Sequence, residues 1–126
     1  MAFPRQRGGL TRVATTGADG FALENGTPTI LSWTAPNDGE LHTVFISAAL
    51  AVSSALTGGE VAWSQTAIDA PAWGDSFFGG GVGTGTYQAS AGTVVLRGNG
   101  TDTVKVTQAS AVTAGAAVVY AELWTS

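Results

Sequence analysis

Apolar and polar residues alternate with a period of two along short stretches of this chain, which is the pattern of half-buried β-strands. The alternation is clearest in residues 103–107, where Val104 and Val106 share one face and polar residues share the other. Another apolar stretch precedes it, and the intervening Asn99-Gly100 favours a tight turn because both residues tolerate positive φ. We therefore predict a β-hairpin over residues 94–106.

Two further stretches predict strands on composition. Residues 29–35 and 116–124 are rich in β-branched and aromatic side chains, which favour pleated, half-buried backbone. Turn sequences punctuate the chain at Asn25-Gly26 and at residues 36–39, which read Pro-Asn-Asp-Gly. Short strands separated by such turns are typical of an all-β fold, and we predict an antiparallel β-sandwich.

Residues 40–52 fit either a helix or a strand by length. We favour a strand, because the segment contains a Thr-Val-Phe-Ile run and its apolar residues form no helical stripe. In a strand, one face would hold Val44, Ile46, Ala48, Leu50 and Val52, and the other Leu41, Thr43, Phe45, Ser47 and Ala49. Both faces are apolar or small, so we expect both to be covered, one of them by another subunit.

The first 20 residues differ from the rest and are interpreted as an arm, with the sandwich domain spanning residues 21–126. The arm contains three of the five basic residues of the chain and the Gly8-Gly9 pair. It is either a frayed terminus or a basic arm that becomes ordered on a partner surface.

Composition narrows the function classes. Only 11% of the residues are charged, and the net charge is −4. The chain has five basic residues, which are too few to build an extended phosphate-binding stripe. We therefore expect no nucleic-acid partner. The longest apolar stretch, residues 41–56, is too short and too polar for a membrane span. A surface this poor in charge suggests that part of it is covered in a larger assembly.

Few residues are suited to catalysis or metal binding. The chain has no cysteine, and His42 is its only histidine, so thiolate and multi-histidine metal sites are excluded. The carboxylates are scattered, and nothing in the spacing of Asp69 and Asp75 indicates a glycosidase pair or a calcium site. We expect no catalytic residue, no metal, no cofactor and no enzymatic activity.

A glycine-rich aromatic stretch covers residues 73–81. It lacks the Gly-Lys-Ser/Thr sequence with which a phosphate-binding loop ends. It is interpreted either as a flexible surface loop or as a contact with another subunit or a partner made by Phe77 and Phe78, because adjacent aromatic residues on a loop usually pack against another surface.

Two segments resemble a known family. Residues 32–41, Ser-Trp-Thr-Ala-Pro-Asn-Asp-Gly-Glu-Leu, resemble the strand-turn-strand motif F-x-A-P-x-x-G-x-Y of the jelly rolls of tumour necrosis factor and complement globular heads. Residues 94–106 resemble the family's L-x-x-G-D-x-V-x-V hairpin, although Thr101 separates the glycine from the aspartate. The likeness, over residues 28–124, implies a jelly-roll sandwich that assembles as a trimer with apolar sheets at its axis.

The whole chain also resembles bacteriophage head decoration (cement) proteins in its length, its Ala/Gly/Thr bias, its lack of cysteine and its basic arm. This resemblance implies a homotrimer on the outer surface of the virion, bound to the major capsid protein. The expected capsid contacts are Phe3, Arg5, Arg7 and Arg12. The expected subunit interface comprises Val44, Ile46, Leu50, Phe77 and Phe78.

One alternative uses the same fold. The chain would then be the receptor- or glycan-binding head of a phage tail fibre or appendage, and aromatic residues of the 73–78 segment would contact the ligand. A fibre head normally follows a long shaft, whereas this chain begins at Met1 without one, so we expect decoration instead.

Overall fold

The computed structural model describes residues 6–7, 9–67, 70–78, 83, 85 and 87–126, with side chains for residues 9–65, 83, 85 and 88–126. These residues form β-strands and no helix. The strands are β1 (Gln6–Arg7), β2 (Leu10–Thr15), β3 (Phe21–Ala22), β4 (Thr29–Thr34), β5 (Leu41–Gly58), β6 (Val61–Ala67), β7 (Ala70–Phe78), β8 (Tyr87–Arg97), β9 (Thr103–Gln108) and β10 (Val112–Thr125).

Two antiparallel sheets pack face to face. The larger sheet has the order β1-β2-β10-β5-β8, with β3 also paired to β10, and the smaller has the order β4-β9-β6-β7. The chain passes from one sheet to the other at the connections between β3 and β4, β4 and β5, β5 and β6, β7 and β8, β8 and β9, and β9 and β10. This architecture confirms the predicted all-β sandwich of jelly-roll type.

The core lies between the two sheets and is built by alternation along the strands. Val104 and Val106 of β9 are fully buried, and Lys105 between them is exposed. Of the segment 40–52, residues 41–52 are strand rather than helix, as predicted, and they form the first part of β5. Strand pairing gives β5 two neighbours, β10 and β8, so it is a central strand of the larger sheet.

Trp63 crosses the core from the smaller sheet and packs on Gly92 of the larger sheet. A Cβ atom placed on Gly92 would lie only 2.8 Å from the indole Nε1 of Trp63. The absence of a side chain at Gly92 therefore makes room for the indole, which is 6% exposed.

The predicted hairpin over residues 94–106 is wrong. Both strands exist, but β8 pairs with β5 in the larger sheet, whereas β9 pairs with β4 and β6 in the smaller sheet. Val94 therefore lies in the larger sheet and Val104 in the smaller sheet, and both side chains are buried in the core between the sheets. The turn at Asn99-Gly100 connects the two sheets. The carboxylate of Asp102 binds the turn from inside, because it accepts the backbone N–H of Arg97 at 2.9 Å.

Two other segments differ from the sequence interpretation. Residues 73–78 of the glycine-rich stretch belong to β7, which pairs with β6, and are not a loop. Residues 10–15, inside the predicted arm, form β2 and pair with β10. The boundary drawn between an arm and a domain at residue 20 therefore cuts through the larger sheet.

Candidate interaction surfaces

Three residues expected at a subunit interface are instead in the core. Val44, Ile46 and Leu50 are at most 1% exposed, because they project from β5 toward the smaller sheet of the same chain. This part of the predicted interface is wrong. The sequence showed two apolar faces on residues 40–52, and the structure shows that the face with these three residues is the one covered internally.

The other expected contact residues fall largely outside the described part of the chain. Phe3 and Arg5 lie outside the described residues. Arg7 lies in β1 and Phe77 and Phe78 lie in β7, and the side chains of these three are outside the described part as well. Their roles stay predictions.

Arg12 lies in β2 and is paired within the chain. Its guanidinium Nη1 lies 3.6 Å from Oε1 of Glu122, on the adjacent strand β10. The same carboxylate accepts a hydrogen bond from the indole Nε1 of Trp124 at 2.7 Å. Arg12 is therefore held on the outer face of the larger sheet and does not belong to a free arm.

That outer face carries an exposed apolar patch, which we define as Leu41, Phe45 and Val95. Their exposed fractions are 70%, 39% and 53%. The register places Val95 opposite Thr43 and therefore diagonal to both Leu41 and Phe45, so the three side chains are neighbours on one face. A cluster of large exposed apolar side chains on one sheet face is typical of an interaction surface.

The outer face of the smaller sheet has the opposite character. Ser32, Lys105 and Ser64 stand in register on three adjacent strands. Thr34 and Thr103 lie beside them, with their hydroxyl groups 2.9 Å apart. The polar outer face of the smaller sheet is therefore suited to contact with water, and the apolar patch on the outer face of the larger sheet is suited to contact with a partner.

An open groove of about 580 Å³ lies on the same outer face as the patch, toward β2. Its floor is formed by Ser47 and Ala49 of β5, and Tyr120 and Glu122 of β10 stand beside them. Arg12 lies at one end, and the turn that follows β2 forms a wall. The backbone of Thr16 holds this wall on β10, because its N–H donates to the Ala121 carbonyl at 3.0 Å.

A buried carboxylate organises the turn between β8 and β9. Asp102 is 2% exposed, accepts the backbone N–H of Arg97 and the side-chain amide of Asn99, and lies 3.9 Å from the Arg97 guanidinium. Desolvation raises the pKa of Asp102, but the two hydrogen bonds and the Arg97 charge outweigh it, so the pKa is lowered below its ordinary value.

A second carboxylate lies at the same end of the sandwich. Asp38 accepts the backbone N–H of Glu40 at 3.0 Å, and its other oxygen lies 2.8 Å from Nε2 of His42. The hydrogen bond from Glu40 lowers the pKa of Asp38; desolvation opposes this, and the His42 side chain adds to the lowering. The His42 ring also packs edge-on against Trp33, with the ring centroids 5.6 Å apart, so these contacts give it a structural role.

These two carboxylates predict a loss of stability in acid. Because both pKa values are lower in the folded chain than in the unfolded chain, the folded chain binds fewer protons below about pH 4. The stabilisation is therefore complete above about pH 5 and declines as the pH falls through the lowered values. Urea unfolding at pH 7, 4 and 3 would measure it, and Asp102→Asn should show a shallower decline below pH 4. A decline as steep as that of the original chain would contradict the role of Asp102.

Among the described residues, no three His, Cys, Asp or Glu side chains are grouped closely enough to hold a metal ion. The described part also has no helix of sufficient length and apolarity to cross a membrane.

Comparison with known proteins gives a similarity of fold. No family model and no curated protein matches the sequence. Among solved structures, a chain from the structure of infectious bursal disease virus, Gx strain, is similar to this chain with a TM-score of 0.52 and 14% sequence identity. The similarity covers 92% of this chain and 31% of the viral chain, so the present chain spans about a third of that protein. A viral structure thus contains a sandwich of this kind.

Proposed function

We propose that this chain is a structural protein of a virion that decorates and stabilises a bacteriophage capsid as a homotrimer on the capsid's outer surface. The observation that carries the proposal is the apolar patch on the outer face of the larger sheet. The fold similarity to a chain in a virus structure supports a place in a virion.

The occupant of the patch is a second copy of the chain. At about 3.3 Å per residue and about 4.8 Å between strands, β5 and β8, the two strands that carry the patch, present roughly 460 Å² of sheet face. One partner's share of a standard stable interface is about 800 Å², so β5 and β8 supply a little over half of it. Few charges oppose such a contact, since the described charged side chains on this face are Arg97 and the Arg12–Glu122 pair.

The contact with the capsid is assigned to the segment before β2. Phe3, Arg5 and Arg7 supply an apolar anchor and two charges for an acidic surface of the major capsid protein, whereas Arg12 is already paired with Glu122. Three such segments in one trimer raise the avidity by increasing the effective concentration at the shell. Because the trimer binds the assembled shell and not free subunits, it stabilises the shell by mass action.

The patch can be tested with a charge. We expect the purified protein to have a mass near three chains in multi-angle light scattering, and the double variant Leu41→Lys/Val95→Lys to have the mass of one chain while keeping the far-ultraviolet circular dichroism spectrum of the folded protein. Three buried pairs of ammonium groups at one axis would oppose association. Thr29→Lys, which adds a lysine at an exposed position of β4 on the smaller sheet, is the control and should remain trimeric.

The same samples test decoration. Trimeric protein should co-sediment with undecorated shells of the phage that encodes it, and a variant lacking residues 1–8 should remain trimeric without co-sedimenting. A monomeric unmodified protein at every concentration would overturn the trimer. Undiminished shell binding by the truncated trimer would overturn the role of the segment before β2.

A further inference from the structure

We propose that the groove between β10 and the turn after β2 binds a neutral carbohydrate, as a mono- or disaccharide unit. The site is separate from the apolar patch, which lies on the β5–β8 side of the face, and the inference does not rest on the capsid role. Its volume of about 580 Å³ falls within the range of about 300–1,000 Å³ that is typical of small-molecule sites.

The aromatic ring of Tyr120 provides a stacking surface. The ring is 40% exposed in a groove whose floor is made of small side chains, Ser47 and Ala49. Its position is fixed by Gly20, where an added Cβ atom would lie 2.9 Å from Cε1 of the ring. Because Gly20 also has a φ of +70°, no other residue fits there without strain. The negative face of such a ring attracts the polarised C–H groups on one side of a pyranose.

Arg12 and Glu122 provide a fixed donor and acceptor beside the ring. The carboxylate of Glu122 is oriented by the indole N–H of Trp124, and its other oxygen faces Arg12. The Arg12–Glu122 separation of 3.6 Å is longer than a hydrogen bond, so the guanidinium retains donors for a ligand. A donor and an acceptor side by side match two neighbouring hydroxyl groups of a sugar.

The charge of the site selects a neutral ligand. The positive charge of Arg12 is cancelled by Glu122, and the carboxylate repels phosphate, sulfate and carboxylate groups. The groove is also open and lined by hydroxyl groups of Thr15, Thr16 and Ser47, which suits a ligand that carries many hydroxyl groups and remains partly in water.

The test is saturation-transfer NMR followed by calorimetric titration of the intact protein with the methyl glycosides of glucose, galactose, mannose and N-acetylglucosamine, with lactose and maltose, and with sodium phosphate and sialyllactose as charged comparisons. We expect at least one to bind with a Kd of about 1 mM or lower. Tyr120→Leu and Glu122→Gln should each weaken binding about tenfold or more, whereas Tyr120→Phe, which keeps the ring, should retain it. Glu60→Gln, an exposed carboxylate outside the groove, is the matched control and should bind as the original chain does.

Three results would overturn the inference. The first is no binding by any of these sugars. The second is binding that Tyr120→Leu and Glu122→Gln leave unchanged while their melting temperatures match that of the original chain. The third is binding of inorganic phosphate or of a sialylated sugar in preference to the neutral ones.

Discussion

Leu50→Ala is expected to lower the free energy of unfolding by about 2–5 kcal/mol, as truncation of a fully buried leucine generally does. Leu50 is 0% exposed and lies in the middle of β5, between Val119 of β10 and Gln88 of β8. The smaller sheet packs over it, so the surrounding core can close the resulting cavity only in part. Because a whole domain is stable by only about 5–15 kcal/mol, this single change removes a large fraction of the total.

Leu41→Ala is the matched control for that variant. It makes the same chemical change on the same strand, but at a side chain that is 70% exposed, and its effect on the isolated chain should be within about 0.5 kcal/mol. Urea unfolding monitored by tryptophan fluorescence measures both, at a protein concentration at which light scattering gives the mass of one chain, so that loss of a trimer contact at Leu41 does not enter the comparison. Leu50→Ala should leave the mass of the assembled protein unchanged, since Leu50 faces the core. Equal effects of the two substitutions on stability would contradict the assignment of β5's inner and outer faces.

Gln108→Ala is expected to cost about 2–4 kcal/mol, because buried polar groups lose their partners. Gln108 is 0% exposed, and its side-chain amide makes hydrogen bonds to backbone groups, as the peptide group of a paired strand would. Its Oε1 accepts the N–H of Glu24 at 2.9 Å, and its Nε2 donates to the carbonyl groups of Glu24 and Ser110. One side chain thus joins β9 to the segment between β3 and β4 and to the turn before β10.

Two further variants separate hydrogen bonding from packing at this position. Gln108→Met keeps most of the volume and removes the hydrogen bonds, so it should recover only the cavity part of the loss. Gln108→Glu removes the donor and buries a charge, so at pH 7 it should be the least stable of the three. A Gln108→Met protein as stable as the original, measured by urea unfolding at pH 7, would show that the hydrogen bonds contribute nothing.

Several features of this fold could be predicted from local sequence. The alternation in residues 103–107 correctly gives Val104 and Val106 a buried face. The composition of the 40–52 segment correctly favours a strand, which the structure places at residues 41–52. The turn residues at 36–39 and at Asn99-Gly100 are also in the right places. These features depend on side-chain period and on φ preference, both of which are properties of a few consecutive residues.

The interaction surfaces could be predicted only in part. The sequence shows that residues 40–52 have two apolar faces, and this is why a partner was expected there. The prediction places the subunit contact on the wrong face of this strand. By residue type alone, Val44, Ile46 and Leu50 are as apolar as Leu41 and Phe45, and only packing of the smaller sheet shows which of the two faces is buried within the chain. No pattern in the sequence indicates the groove, because Arg12 and Glu122 are 110 positions apart in the chain and come together only through the pairing of β2 with β10.

The sequence by itself therefore determined that β4, β9, β10 and the first part of β5 are strands, which side chains alternate along them, and that one apolar face exceeded what a single core requires, but it did not indicate β2 or β7 as strands. Only the tertiary structure decided which strands are neighbours. The turn after Arg97 would suit a hairpin as well as a connection between sheets, and the choice depends on contacts between β8 and β5 and between β9 and both β4 and β6. Those contacts join residues far apart in the chain, and their free energy is set by burial against partners that no local pattern specifies.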